Sequence, residues 1–216
     1  MTKYDYIIVG AGIAGCSVSY FLKEEEQSKK ILLIDRNSEI ALGASGAAGA
    51  FLSPLLGKEN KLKTLVNEAL SFSTDVYQKI AKEFIINKGV LRIPKDEEDA
   101  KKFYSYMEFN DFEHGLKEEG AFFPIGSKVE SQEICQVLSQ KVDKKFDYEV
   151  EKIVYENDTW IINNELQTSK LILTTGADIS LISEHYFNIR AVWGQRIDVK
   201  TSTKVPFNYH KECSVS

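Results

Sequence analysis

Apolar positions along the chain switch between two patterns, and the switches mark the elements. Tyr6-Ile7-Ile8-Val9 is a continuous apolar run, as is Ile31-Leu32-Leu33-Ile34, which predicts two strands with a helix over roughly residues 13–26 between them. Over residues 60–86, Leu62, Leu65, Val66, Ala69, Leu70, Phe72, Val76, Tyr77, Ile80 and Ala81 recur at helical spacing and predict one long or broken amphipathic helix. Residues 89–94 read as a strand and 96–114 as a charged, aromatic-bearing helix. Residues 121–124 read as a short strand, and a further helix begins at Ser131 and runs to about Val142. A strand meander follows. Residues 148–155 alternate, Glu156-Asn157-Asp158 breaks the pattern, and Thr159-Trp160-Ile161-Ile162 resumes it. The run Lys170 to Thr174 then ends in Thr175-Gly176-Ala177-Asp178, as a buried parallel strand does when its C-terminal end faces a ligand.

Between the first strand and its helix lies Gly10-Ala11-Gly12-Ile13-Ala14-Gly15, and Asp35 closes the second strand twenty positions after Gly15. Gly10 permits a tight turn, Gly12 lets the backbone approach a pyrophosphate, and Gly15 lets the helix lie close against the sheet. The helix start directs its free N–H groups and positive dipole end at that pyrophosphate. A carboxylate at position 35 accepts hydrogen bonds from ribose hydroxyls and disfavours a 2′-phosphate. Three glycines alone would be weak evidence. Strand, glycines, helix, strand and acid in that order predict a dinucleotide-binding βαβ unit, with FAD and NAD both open. Beyond it, Gly43-Ala44-Ser45-Gly46-Ala47-Ala48-Gly49-Ala50 buries too little area to build a core. It reads as backbone that approaches a ligand rather than as a linker.

Composition narrows the picture. The chain has 216 residues, 43% of them hydrophobic and 27% charged, which allows one large domain or two modest ones. Its formal charge of −5 argues against broad, nonspecific nucleic-acid binding, and Lys58, Lys61, Lys63, Lys141, Lys144 and Lys145 read as solvated positions. Cys16, Cys135 and Cys213 have neither disulfide nor zinc spacing and suit a reducing cytoplasm. His114, His185 and His210 are isolated. No catalytic residue and no metal ligand is assigned, and neither a signal peptide nor a membrane span is expected.

The glycine loop at 10–15, Asp35 with Arg36, Thr174-Thr175-Gly176 after a meander, and Val192-Trp193-Gly194-Gln195 together resemble the FAD-dependent amine and D-amino-acid oxidase superfamily, with the glycine oxidase type of fold. Gly43-Ala44-Ser45-Gly46 followed by Pro54-Leu55-Leu56 is similar, within that superfamily, to the oxidoreductase half of the bifunctional enzymes of tRNA 5-methylaminomethyl-2-thiouridine biosynthesis. Ala47 and Ala48 depart from that likeness, which leads one to expect polar residues. The resemblance implies an α/β fold: a Rossmann-like, glutathione-reductase-like FAD-binding domain from residues 1–57 and 146–180. An inserted α+β substrate or interface domain would take 58–145 and 181–216, and the family's C-terminal part would be missing. It implies that Gly10, Ala11, Gly12, Ile13, Ala14 and Gly15 hold the FAD pyrophosphate, that Asp35 takes the adenosine ribose, and that Arg36 lies near the adenine or a phosphate. Ala44, Ser45 and Gly46 would approach the ribityl chain and flavin, Val150 would give backbone hydrogen bonds to adenine, and Thr175 with Gly176 would line the pyrophosphate side. Val192 to Gln195 would form a strand.

The implied reaction is oxidation of a C–N bond in a small amine, an amino acid or a modified tRNA uridine, with no side-chain acid or base strictly required. Early termination at Ser216 leads one to expect exposed apolar surface, and therefore a homodimer or a second chain that completes the fold. Two other readings stay open: a non-catalytic nucleotide-binding or interaction module and, last, an NAD-dependent dehydrogenase, for which no acid is visible.

Overall fold

In the computed structural model, which describes residues 1–86, 88–117, 120–182, 186 and 189–216, β1 (Thr2–Val9) leads through α1 (Ile13–Glu25) to β2 (Ile31–Ile34). There follow α2 (Ala44–Ala47), β3 (Phe51–Leu52), α3 (Lys61–Ile80), β4 (Ile85–Ile86), β5 (Val90–Arg92), α4 (Glu97–Met107), β6 (Gly115–Lys117), β7 (Gly120–Phe123) and β8 (Ser127–Val129). The chain closes with α5 (Ser131–Leu138), β9 (Asp143–Lys145), β10 (Ile153–Glu156), β11 (Thr159–Ile162), β12 (Leu166–Leu173), β13 (Asn208–His210) and β14 (Ser214–Val215). Two compact units result: residues 1–48 with 131–196, and residues 49–130 with 197–216.

The first unit is built on a sheet of order β10-β11-β12-β1-β2-β9. Strands β12, β1, β2 and β9 are parallel neighbours, and β10, β11 and β12 form the antiparallel meander. Because β1 lies inside the sheet, its apolar run must be covered on both faces. Ile7, Val9, Leu32 and Ile34 pack with Val150, Ile162 and Leu166 on one side. Strand alternation sends Ile8 and Leu33 to the other. There α1, burying Gly15, Cys16 and Ser19, packs with α5, which buries Ile134, Cys135 and Leu138. The unit boundaries fall at 48/49, 130/131 and 196/197, where the expected ones are 57/58, 145/146 and 180/181. Helix α5 belongs with α1, and β9 extends the parallel sheet, so both join the nucleotide unit.

The second unit holds a five-stranded sheet, β14-β13-β5-β7-β6, and a three-stranded one, β3-β8-β4. Phe103 and Met107, four residues apart on one face of α4, pack with Ala121 and Phe123 of β7. Helix α3 begins at an Asn60 cap whose side chain accepts from Lys63 N–H at 3.0 Å. It ends at Ile80, short of the span its periodicity suggests. Ile85 and Ile86 instead pair with Val129 and Lys128 of β8, a tertiary pairing that helical spacing does not reveal.

Two more expectations shift. Residues 148–152 are not strand, because the Asn163 side chain takes their backbone groups. Its carbonyl accepts from Glu151 and Lys152 N–H at 3.0 and 3.1 Å, and its amide donates to the Glu149 carbonyl at 2.8 Å. The strand expected over Val192 to Gln195 is absent: residues 189–200 carry no regular structure, and Trp193 is 98% exposed, with no strand paired to it among the described residues.

Candidate functional site

The glycine turn is shaped by contact with the end of β12. Gly10 has φ +107°, and a Cβ there would fall 2.4 Å from the Thr174 carbonyl oxygen, so neither conformation nor space admits a side chain. A Cβ on Gly15 would fall 1.9 Å from the Gly10 carbonyl oxygen, which is how closely α1 approaches the turn. Thr174 fixes that approach from below. Its N–H donates to the Val9 carbonyl at 2.8 Å, and its hydroxyl lies 2.9 and 3.0 Å from the carbonyls of Val9 and Gly10.

The start of α1 is left with backbone donors, since no helix supplies partners for its first N–H groups. Ile13 N–H is taken by Ser45 Oγ at 2.9 Å, whereas Gly12 and Ala14 N–H bond to none of the described residues. Ser45 is carried there by α2, where Ala44 is exposed and Gly46 lies against the Ala41 carbonyl so tightly that a Cβ would be 2.0 Å from that oxygen. Gly46 is therefore explained by packing within the loop. The Ser45 hydroxyl is the one polar side chain this loop brings over the glycine turn.

Asp35 stands at the mouth of the same turn. Its Oδ2 accepts from Ala11 N–H at 2.6 Å, and its Oδ1 accepts from the backbone and side-chain nitrogens of Asn37 at 2.8 and 2.9 Å. A carboxylate offers about four lone-pair positions. Three are used, and one on Oδ2 stays available to a hydroxyl. The Asp35 carbonyl accepts from Tyr148 N–H at 3.0 Å, which brings in the segment leading to Val150. Val150 is buried, and its backbone N–H and carbonyl bond to none of the described residues.

Arg36, Thr175 and Gly176 form the remaining edge. The Arg36 guanidinium meets the Asp178 carboxylate at 3.1 Å. Hydrogen bonds from the Ser180 hydroxyl and N–H, then the Arg36 charge, hold the Asp178 carboxyl below the usual carboxylate range. The Thr175 hydroxyl donates to the Asp178 carbonyl, and Gly176 turns with φ +68° into open space. Asn37, Asn163, Thr174 and Asp178 are the supports that sequence reasoning passed over. Thr174 and Asp178 stood within the quoted Thr-Thr-Gly-Ala-Asp strand end, whereas Asn37 and Asn163 carried no signal.

The site thus gathers a positive helix end, free backbone donors, a pre-oriented carboxylate and a buried backbone edge, all in one unit. That donor set fits an ADP moiety: N–H groups for a pyrophosphate, Asp35 for a ribose and Val150 for an adenine. Among the described residues no group of three His, Cys, Asp or Glu could hold a metal, and no helix is long and apolar enough to cross a membrane.

Known proteins resemble this chain over most of its length. The family model for FAD dependent oxidoreductases, DAO, matches residues 5–212. The tRNA 5-methylaminomethyl-2-thiouridine biosynthesis bifunctional protein MnmC of Marinobacter nauticus is 26% identical over 194 residues, covering 79% of this chain and 30% of the relative. Its counterpart from Campylobacter hominis is 24% identical over 206 residues, covering 91% and 31%. Among solved structures, the glycine oxidase of Geobacillus kaustophilus superposes with a TM-score of 0.69 at 16% identity, covering 82% of this chain and 56% of that one. The chain therefore spans under a third of these curated relatives and about half of that solved structure.

Proposed function

This chain belongs to the FAD-dependent oxidoreductase (DAO) family, whose cofactor is FAD, and from that premise we propose that it holds the ADP half of FAD in its first unit and takes part in oxidising a substrate C–N bond. The observation that carries the reading is the Asp35 carboxylate, bonded to Ala11 N–H at the mouth of a turn that leaves no space for a Cβ at Gly10 or Gly15. Gly12, Ile13 and Ala14 would present N–H groups to the pyrophosphate. Ser45, already on Ile13, would exchange that N–H for a phosphate or ribityl oxygen. Asp35 would accept from the ribose, Val150 would pair with adenine, and Arg36 with Thr175 and Gly176 would close the phosphate side. When bound, FAD supplies two-electron oxidation of the C–N bond, and the resulting substrate imine is released by water.

The substrate we propose is a secondary amine of the carboxymethylaminomethyl class on a tRNA wobble uridine, in the cytoplasm. Support comes from the curated relatives, which match 79% and 91% of this chain and are named for tRNA 5-methylaminomethyl-2-thiouridine biosynthesis. A free amino acid is the second reading, favoured by the likeness to glycine oxidase at the level of fold. We include association with a second copy or another chain in the proposal, because Val192, Trp193, Ile197 and Val199 are all exposed. Size-exclusion chromatography giving a well-behaved, heat-stable monomer would remove that part.

Absorption spectroscopy tests the function. The purified chain with added FAD should show bound-flavin bands, and anaerobic bleaching should require tRNA bearing the carboxymethylaminomethyl group. Bleaching by glycine instead selects the amino-acid reading. Bound FAD that neither substrate reduces leaves a nucleotide-binding module, and failure to bind FAD removes the proposal.

A further inference from the structure

Helix α3 carries two apolar rows, and the fold buries one of them. Lys63, Leu70 and Tyr77 recur every seven residues and are buried. Leu62, Leu65, Ala69 and Phe72, spaced three, four and three apart, form a second row along the helix. That row faces solvent: Leu62 is 63% exposed, Leu65 62% and Phe72 56%, and Ala69 is exposed as well. Lys61, Glu68 and Asp75, also seven apart, run along its outer edge and are exposed too.

Apolar side chains alternating three and four apart form the seam of a paired helix, and this seam complements itself. Laid antiparallel on a second copy, about a two-fold axis near residue 67, it sets Leu62 against the second copy's Phe72 and Leu65 against its Ala69, each contact occurring twice. In the same register Lys61 lies beside the second copy's Asp75, again twice, and the two helix dipoles oppose one another. Other arrangements fit less well. One heptad along, Leu62 would meet Lys79 and Glu68 would meet Asp75. One heptad the other way, Ala69 and Phe72 would lie beyond the start of the second copy's helix at Lys61. A parallel pairing would set the three edge charges beside Val66, Ser73 and Ile80 and gain no ion pair. The one unfavourable contact in the antiparallel register is Glu68 with its own counterpart, on the solvent side, where screening is strong.

We propose that α3 is a self-association surface: two copies of this chain pair antiparallel through Leu62, Leu65, Ala69 and Phe72, and Lys61 with Asp75 fixes the register. Residues 192–199 take no part in this contact, and it forms whether or not FAD is bound. From Leu62 to Phe72 the seam spans about 15 Å of helix. So short a seam buries less than a standard interface, and the dimer it forms is reversible.

Light scattering coupled to size-exclusion chromatography reads the mass of the full chain across a range of concentrations. The unaltered chain should pass from the mass of one copy to that of two as concentration rises. Leu65→Glu, at an exposed position, places a charge in the seam twice and should raise the dissociation constant about 100-fold or more, with circular dichroism unchanged. Asp75→Lys and Lys61→Asp each trade two attractions for two repulsions and should each weaken pairing about tenfold, and the two together should restore it. With the exposed Cys213 replaced as Cys213→Ser, Glu68→Cys should cross-link to its counterpart under mild oxidation, and Thr64→Cys should not. A dimer that survives Leu65→Glu would move the interface to another face and overturn the proposal. Single charge exchanges without effect, a double exchange that fails to restore pairing, or cross-linking through Thr64→Cys would overturn the antiparallel register. A monomer at every concentration would overturn self-association and leave the stripe to a different chain.

Discussion

The Asp35 carboxylate and the Ala11 backbone N–H are joined at 2.6 Å across twenty-four positions of sequence, and Ala11 is fully buried. This bond orients the acid before any nucleotide arrives. Replacing Asp35 removes a charged acceptor, whose hydrogen bonds are worth about 1.5–3 kcal/mol each. Asp35→Ala should therefore weaken FAD binding by about 10- to 100-fold, read from quenching of flavin fluorescence. Stability should fall as well, by about 1–3 kcal/mol, because the Ala11 N–H is left without an acceptor. Asp35→Ala binding FAD as tightly as the unaltered chain would separate this carboxylate from the nucleotide.

Gly15 and Gly43 offer a matched pair. A methyl group on Gly15 would lie 1.9 Å from the Gly10 carbonyl oxygen and 2.7 Å from the Thr174 hydroxyl, whereas one on Gly43 meets nothing within 4 Å. Backbone is the obstacle in the first case and cannot swing aside. Gly15→Ala should cost about 3 kcal/mol or more, and Gly43→Ala should stay within about 0.5 kcal/mol. In thermal unfolding the first should lower Tm by roughly 2–4 °C per kcal/mol, and the second should leave it near the unaltered value.

Lys63 is 2% exposed, yet it pairs with a Glu59 that is 57% exposed, and it donates to the Phe109 carbonyl as well. The two partners are not equivalent. Removing the lysine as Lys63→Met leaves a solvated carboxylate and keeps most of the packing, so the loss should be about 1 kcal/mol. Removing the acid as Glu59→Ala leaves a buried ammonium held by one carbonyl, and the loss should be about 2 kcal/mol or more. Urea midpoints at pH 7 should therefore order as unaltered chain, Lys63→Met, Glu59→Ala. The reverse order would mean that solvent reaches the ammonium.

How much of this could be read from sequence depends on how local the cause is. Strand β1, the glycine turn, α1, β2 and Asp35 lie within 34 residues, and each is specified by its own residues: apolar runs, obligatory glycines and an acid at fixed spacing. The hairpin order of β10, β11 and β12 was visible for the same reason, with Asn157 and Asp158 in the left-handed region at the first turn. What escaped depends on distant partners. Ile85-Ile86 looks helical until β8 arrives to pair with it, and β8 itself is only three residues long. Asn163 removes residues 148–152 from the meander through side-chain bonds reaching back as far as Glu149. Arg36 lies beside the motif, but its partner Asp178 is 142 positions away, and no spacing rule links them. The Arg92–His210 neighbourhood is hidden still more deeply, because it needs the register of β5 against β13.

His210 gives that register a consequence for stability. Burial, and then the Arg92 charge, hold its pKa below the ordinary histidine value of 6.5. The folded state therefore favours the neutral ring, and the unfolded chain takes up a proton first as pH falls. The stability tied to this difference is fully present above about pH 6.5 and is lost as pH falls through the lowered folded-state value. Chemical unfolding of the unaltered chain should show a decline in this window that His210→Asn flattens. Arg92→Gln should flatten it in part, since it removes the charge and keeps the burial. Equal slopes in all three proteins would mean that protonation of His210 is not coupled to folding.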